Sequence, residues 1–100
     1  MVDSYRIDEG QAATVLRPTG ELDINARDEL HATIVEALST SPRVVVDLTD
    51  VTFIDSEALG ALIDGYNAAL ASGTGFRVIN AASAVARVLN VSGAQELFDS

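Results

Sequence analysis

VVVDLTDVTFIDSEALG, residues 44–60, is the stretch on which the fold turns. It opens on three valines in a row, an apolar run without alternation, as expected of a central strand covered on both faces. A second apolar run, Val51-Thr52-Phe53-Ile54, then leads into Asp55-Ser56 and a helix pattern. That helix is predicted from Ser56 to Ser72, with Leu59, Leu62, Ile63, Tyr66, Ala69 and Leu70 as its buried stripe and Gly73 as its C-cap. A buried strand running into an amphipathic helix is the repeating unit of a parallel sheet.

Upstream, Asn25 is read as an N-cap, with Asp28 and Glu29 in the first turn, where the helix dipole favours negative charge. Leu30, Ile34, Ala37 and Leu38 form the stripe of that helix, which ends at Ser39-Thr40-Ser41-Pro42. Before it, Ala13–Thr19 reads as a strand, with a shorter one near Tyr5–Asp8 and a hairpin turn at Glu9-Gly10-Gln11. Pro18 belongs at a strand end or edge, and Gly20 closes this part. Downstream, Phe76–Ile79 is a strand, and Ser83 caps a last helix carrying Val85, Ala86, Val88 and Leu89, which stops at Gly93. Ser72-Gly73-Thr74-Gly75 is better explained as a helix cap and turn than as a phosphate loop. The expected fold is α/β: one domain over residues 1–100, with a small mixed sheet of parallel core strands, a leading β-hairpin, and helices packed on it through right-handed crossovers.

Composition narrows the chemistry. Fifteen acidic and six basic residues leave a net charge of −9, which argues against a partner that is a nucleic-acid backbone. The chain has no cysteine, and all six basic residues are arginine, so thiolate metal sites, cysteine nucleophiles, Schiff-base lysines and a Walker-type loop are excluded. A single histidine, His31, leaves little for a metal site, and a triad with Ser56 would need it to reach across from another helix. Asp3, Asp8, Glu9, Glu96 and Asp99 lack the alternating spacing of a calcium loop. The polar start and the lack of a long apolar run lead us to expect a cytoplasmic protein without membrane insertion. No cofactor, metal or catalytic group of its own is expected.

The carboxyl ends of strands and the helix starts after them are where such sheets gather function. Asp55-Ser56 sits at such a place. A phosphoryl group on Ser56 would bring about −1.5 to −2 charges to a helix N-terminus, which can receive them while the surface around changes character. The plainer reading is that Asp55 and Ser56 only cap the helix.

Gly20-Glu21-Leu22-Asp23, the valine strand to Asp47, Phe53-Ile54-Asp55-Ser56-x-x-Leu59-Gly60, Leu89-Asn90-Val91-Ser92-Gly93 and Leu97-Phe98 together resemble the STAS family, in order and spacing from about Tyr5 to Phe98. The resemblance implies a bacterial anti-sigma factor antagonist. Its partner would be an anti-sigma factor that is also a serine kinase, brings its own nucleotide, and phosphorylates Ser56. Phosphorylation would break the complex, and a phosphatase would restore it. The resemblance makes Asp23, Asp55, Ser56, Glu57, Leu59 and Gly60 the expected partner surface, and the acidic charge of the chain leads us to expect a monomer. Two departures stand out. Ala58 replaces a glycine and adds a methyl where a partner could approach. Glu57 replaces a hydroxyl residue, and could repel the kinase, imitate the phosphorylated state, or simply suit the helix start. Many relatives also continue with another helix after the Leu-Phe segment. A second role in the family, as accessory subunit of a bacterial ABC transporter for lipids, is compatible with the same residues.

Overall fold

The computed structural model describes residues 2–8 and 13–99, with side chains from 13 to 98. In chain order the elements are β1 (Val2–Asp8), β2 (Ala13–Pro18), β3 (Gly20–Leu22), α1 (Ile24–Thr40), β4 (Arg43–Asp47), β5 (Val51–Ile54), α2 (Ser56–Ser72), β6 (Gly75–Ile79), α3 (Ser83–Ser92) and α4 (Ala94–Asp99). One sheet has the order β1-β2-β4-β6, with β1 antiparallel to β2 and the two remaining junctions parallel. This is the mixed sheet with a parallel core that the sequence leads one to expect. The predicted turn at Glu9–Gln11 lies outside the described residues, and Pro18 does end its strand. In the central strand β4, Val44 and Val46 are fully buried but Val45 only half. Successive strand residues point to opposite faces, so cover is complete on one face and thinner on the other.

The second sheet was not anticipated. Rather than merely closing the hairpin, Gly20 begins β3, which pairs in parallel with β5 through Glu21 opposite Phe53 and Leu22 opposite Ile54. Gly20 adopts φ 77°, open to glycine at no steric cost, and its N–H reaches the Asp50 carbonyl at 2.9 Å. A strand of three residues is too short to show periodicity, which is why only the pairing reveals it.

That pairing also moves the start of α1. The cap is Asp23, not Asn25: its carboxylate accepts the Asn25 N–H at 2.9 Å, and the chain is already helical at Ile24. Asp28 and Glu29 consequently fall in the second turn. The predicted extent of α2 and its left-handed cap at Gly73 are observed, but Leu70 is exposed and the buried stripe ends at Ala69. In α3, Ser83 is the first helical residue, and Ala82 occupies the cap position without a side-chain bond. Beyond Gly93 the chain makes a further short helix, α4, whose Phe98 is fully buried. The Phe98 ring meets Phe76 and Tyr66 at centroid distances of 6.2 and 6.3 Å, which fastens α4 to β6 and α2.

Helices α1 and α2 pack on each other at Gly65. A Cβ there would stand 2.8 Å from Ile34 Cγ2 and 3.3 Å from the Phe76 ring, so the close approach requires glycine. With the two helices held together, their first turns lie beside the paired ends of β3 and β5. Among the described residues, no helix is long and apolar enough to cross a membrane.

Candidate functional site

Strands β3 and β5 run in parallel, so each delivers its chain at the same end, and each is followed at once by a helix capped by an aspartate. The Asp55 carboxylate accepts the Ala58 N–H at 3.0 Å, its own N–H donates to the Leu22 carbonyl at 3.0 Å, and its carbonyl accepts the Leu59 N–H at 2.9 Å. Asp55 is therefore fixed to β3 and to α2 together. Ser56, the first residue of α2, is exposed, and among the described residues its hydroxyl has no hydrogen-bond partner. The site thus presents a free hydroxyl on a backbone held from both sides.

The residues after Ser56 divide by facing. Glu57 Oε1 lies 2.7 Å from Arg27 Nη1 on α1, and Arg27 also reaches Asp28 at 3.2 Å. The hydrogen bond to Glu57, then that to Asp28, hold the Arg27 guanidinium further from deprotonation than usual. The negative charge beside Ser56 is consequently matched across the gap between helices. Ala58 is 0% exposed. Its methyl points into the core, which removes the expectation that it obstructs an approaching partner. Leu59 is buried but contributes to the wall of a groove, and Gly60 is half-exposed with open space where a Cβ would stand.

That groove lies between α2 and α3. Ser56 and Leu59 line it from α2, and Arg87, Val88, Val91 and Ser92 from α3. Val91 is 83% exposed. Ile24 and Phe53, also large, apolar and exposed, lie next to Asp23 and two residues before Asp55. Arg87 was not singled out in the sequence. Its neighbours in the groove were legible only as helix-stripe or motif residues, since no local pattern shows that α3 comes to lie against the start of α2. His31 is exposed and borders a different cleft, with Arg27, Asp28, Ala61 and Asp64. Among the described residues, no group of three histidines and carboxylates could hold a metal ion.

A second aspartate anchors the surroundings. Asp47 Oδ1 accepts the N–H and hydroxyl of Thr49 at 3.0 and 2.6 Å and the Asn80 amide at 3.3 Å, while Oδ2 lies 3.6 Å from Arg17 Nε. Burial alone would push the Asp47 carboxyl up, but the bonds from Thr49 and Asn80 and the charge of Arg17 outweigh it and hold the carboxyl below its usual range. Asn80 takes φ 62°, a left-handed conformation that asparagine tolerates better than most residues, and so delivers its amide to Asp47.

Asp55 and Ser56 lie where a strand becomes a helix, as the sequence order leads one to expect, and the β3–β5 contact adds the start of α1 beside them. The sequence profile described as Mlab, STAS domain, matches residues 5–99. The chain belongs to the STAS-domain family. Solved structures that share its fold include anti-sigma factor antagonists and a transporter-family protein. An anti-sigma factor antagonist from Mycobacterium paratuberculosis is 26% identical, over 98% of this chain and 83% of that one, with a TM-score of 0.82. The Bacillus cell fate determinant SpoIIAA, solved in its phosphorylated form, is 19% identical over 97% of this chain and 87% of its own, at a TM-score of 0.76. A sulfate transporter family protein from Wolinella succinogenes shares the fold at 17% identity, over 87% and 71% of the two chains, with a TM-score of 0.76.

Proposed function

We propose that this STAS domain is an anti-sigma factor antagonist that binds a serine-kinase anti-sigma factor around Ser56, frees the sigma factor, and is switched off by phosphorylation of Ser56. The observation that carries the reading is the exposed Ser56 hydroxyl, without a partner among the described residues, at the head of a helix whose backbone is pinned by Asp55 and Leu22. A kinase needs a hydroxyl it can reach, on a backbone that survives the added charge. The apolar groove beside Ser56 and the exposed Ile24 and Phe53 suit a protein surface that docks there. Asp23, Asp55, Ser56, Glu57, Leu59 and Gly60 form the proposed contact surface, although Leu59 offers only its groove edge. A phosphatase for the modified form, a monomeric state, a cytoplasmic location and the absence of enzymatic activity belong to the same reading.

The test is mass spectrometry of the protein from its own host in growth and under stress. Trypsin releases 44–77 as one peptide, and a phosphoryl group adds about 80 Da to it. Occupancy at Ser56 that changes with condition is the expected result; none under any condition overturns the switch. Alongside it, Ser56→Ala should keep the partner and Ser56→Asp should weaken its binding, and equal affinity of the wild type, the aspartate variant and the phosphorylated form refutes the mechanism.

A transporter-associated role is the second reading, and the fold shared with the sulfate transporter family protein favours keeping it. Affinity purification separates the two, since a histidine-kinase-like ATPase supports the first and a transporter ATPase the second.

A further inference from the structure

We propose that Arg87 receives the phosphoryl group of phosphorylated Ser56 across the groove between α2 and α3, and that this clasp covers the groove's apolar wall. The inference rests on the phosphorylation reading above and adds the structural consequence of the modification. Residues next to each other on a helix point about 100° apart. Glu57 faces α1, where Arg27 takes its carboxylate, whereas Ser56 faces the groove that Arg87 borders from α3. The arginines on the two sides of the α2 start, Arg27 and Arg87, are therefore in opposite states. Arg27 holds two carboxylates, while among the described residues no hydrogen bond or ion pair engages the exposed Arg87.

In a chain of net charge −9, a guanidinium without a carboxylate beside a serine hydroxyl is an unfilled position for an anion. The neutral hydroxyl gives Arg87 little to hold. A phosphoserine offers oxygens that a guanidinium fork binds with two charge-assisted hydrogen bonds. No bond to Glu57 has to break first, because that carboxylate is already matched on the other side of the helix. Drawn towards Ser56, the arginine stem would lie over Leu59, Val88 and Val91. Modification would then both reverse the local charge and cover the apolar surface offered to a partner.

The experiment uses the full chain with phosphoserine genetically encoded at position 56, so that no kinase is required. The second ionisation of the phosphate is followed by ³¹P NMR in the otherwise wild-type chain and in Arg87→Gln, Arg87→Lys and Glu57→Gln. The charged groups around the phosphate are Asp55 and Glu57 on its own junction, Asp23 and Arg27 at the start of α1, and Arg87 on α3. Arg87→Gln is expected to raise the midpoint by about half a unit or more, Arg87→Lys by less, and Glu57→Gln to lower it. An identical midpoint in wild type and Arg87→Gln overturns the clasp. If that null result accompanies loss of the kinase partner on phosphorylation, the clasp fails and the switch stands. If the midpoint shifts although no partner responds to the phosphate, the clasp stands and the partner reading fails.

Discussion

Asp47 and Asp55 stand at the ends of consecutive strands, yet their surroundings could hardly differ more. Asp47 is saturated: Thr49 donates twice, Asn80 once, and Arg17 supplies the countercharge, so the carboxylate ties the ends of β2, β4 and β6 together. The Asp55 carboxylate accepts one bond among the described residues, from the Ala58 N–H, and the residue after it is an exposed serine whose hydroxyl has no partner among them. The lesson is that an aspartate at a strand end is no sign of function by itself. What distinguishes the two is whether the neighbouring groups are consumed by the fold or left available.

Removing the saturated carboxylate should have the largest effect. Asp47→Ala gives up three hydrogen bonds and a charge partner, and is expected to cost about 2–3 kcal/mol in chemical denaturation. A loss as small as that of a cap would erase the contrast. The same carboxylate sets an acid dependence. Its native pKa lies below the unfolded value of about 3.9, so its stabilisation is complete above that pH and disappears as the pH falls through the lower native value. Denaturation midpoints followed from pH 5 down to pH 2.5 should therefore decline less steeply in Asp47→Asn than in the wild type.

Next in size are the caps. Asp55→Ala and Asp23→Ala each lose one cap bond and should cost about 1 kcal/mol alike. If Asp55 costs far more than Asp23, it is structural in the manner of Asp47, and the comparison breaks. The smallest stability effect has the opposite sign. Gly60→Ala meets no atom within 4 Å and should stabilise α2 by about 0.5–1 kcal/mol, while weakening partner binding measured by titration calorimetry. Unchanged affinity would take Gly60 out of the proposed contact surface. Gly65, one and a half turns further along α2, has no such freedom, because Ile34 and Phe76 already fill the space.

Much of this architecture was legible residue by residue. The apolar stripe of α2, its stop at Gly73 and the valine strand β4 follow from periodicity and turn chemistry, which act over a few residues. The placement of Ser56 at a helix start was equally local, since Asp55 caps through Ala58, three residues away. Sequence and structure differ where a distant partner sets a boundary. Asp23 became the cap of α1 in place of Asn25 because β3 is held by β5, and β3 itself has only three residues. The α4 helix went unseen because its six residues are short of a periodic pattern and depend on Phe98 reaching Phe76 and Tyr66.

Local sequence carried the leading hairpin, the three longer helices, the parallel core of the sheet and the start of α2 at Ser56, because helix and strand periods and capping are written in neighbouring residues. Tertiary structure alone decided what surrounds Ser56. Glu57 is balanced by an arginine thirty residues away, Ala58 turns its methyl inward, and α3 brings Arg87 and Val91 to the groove. Each of these depends on how two elements pack, and packing is fixed by the shape and charge of surfaces that meet only when the chain has folded.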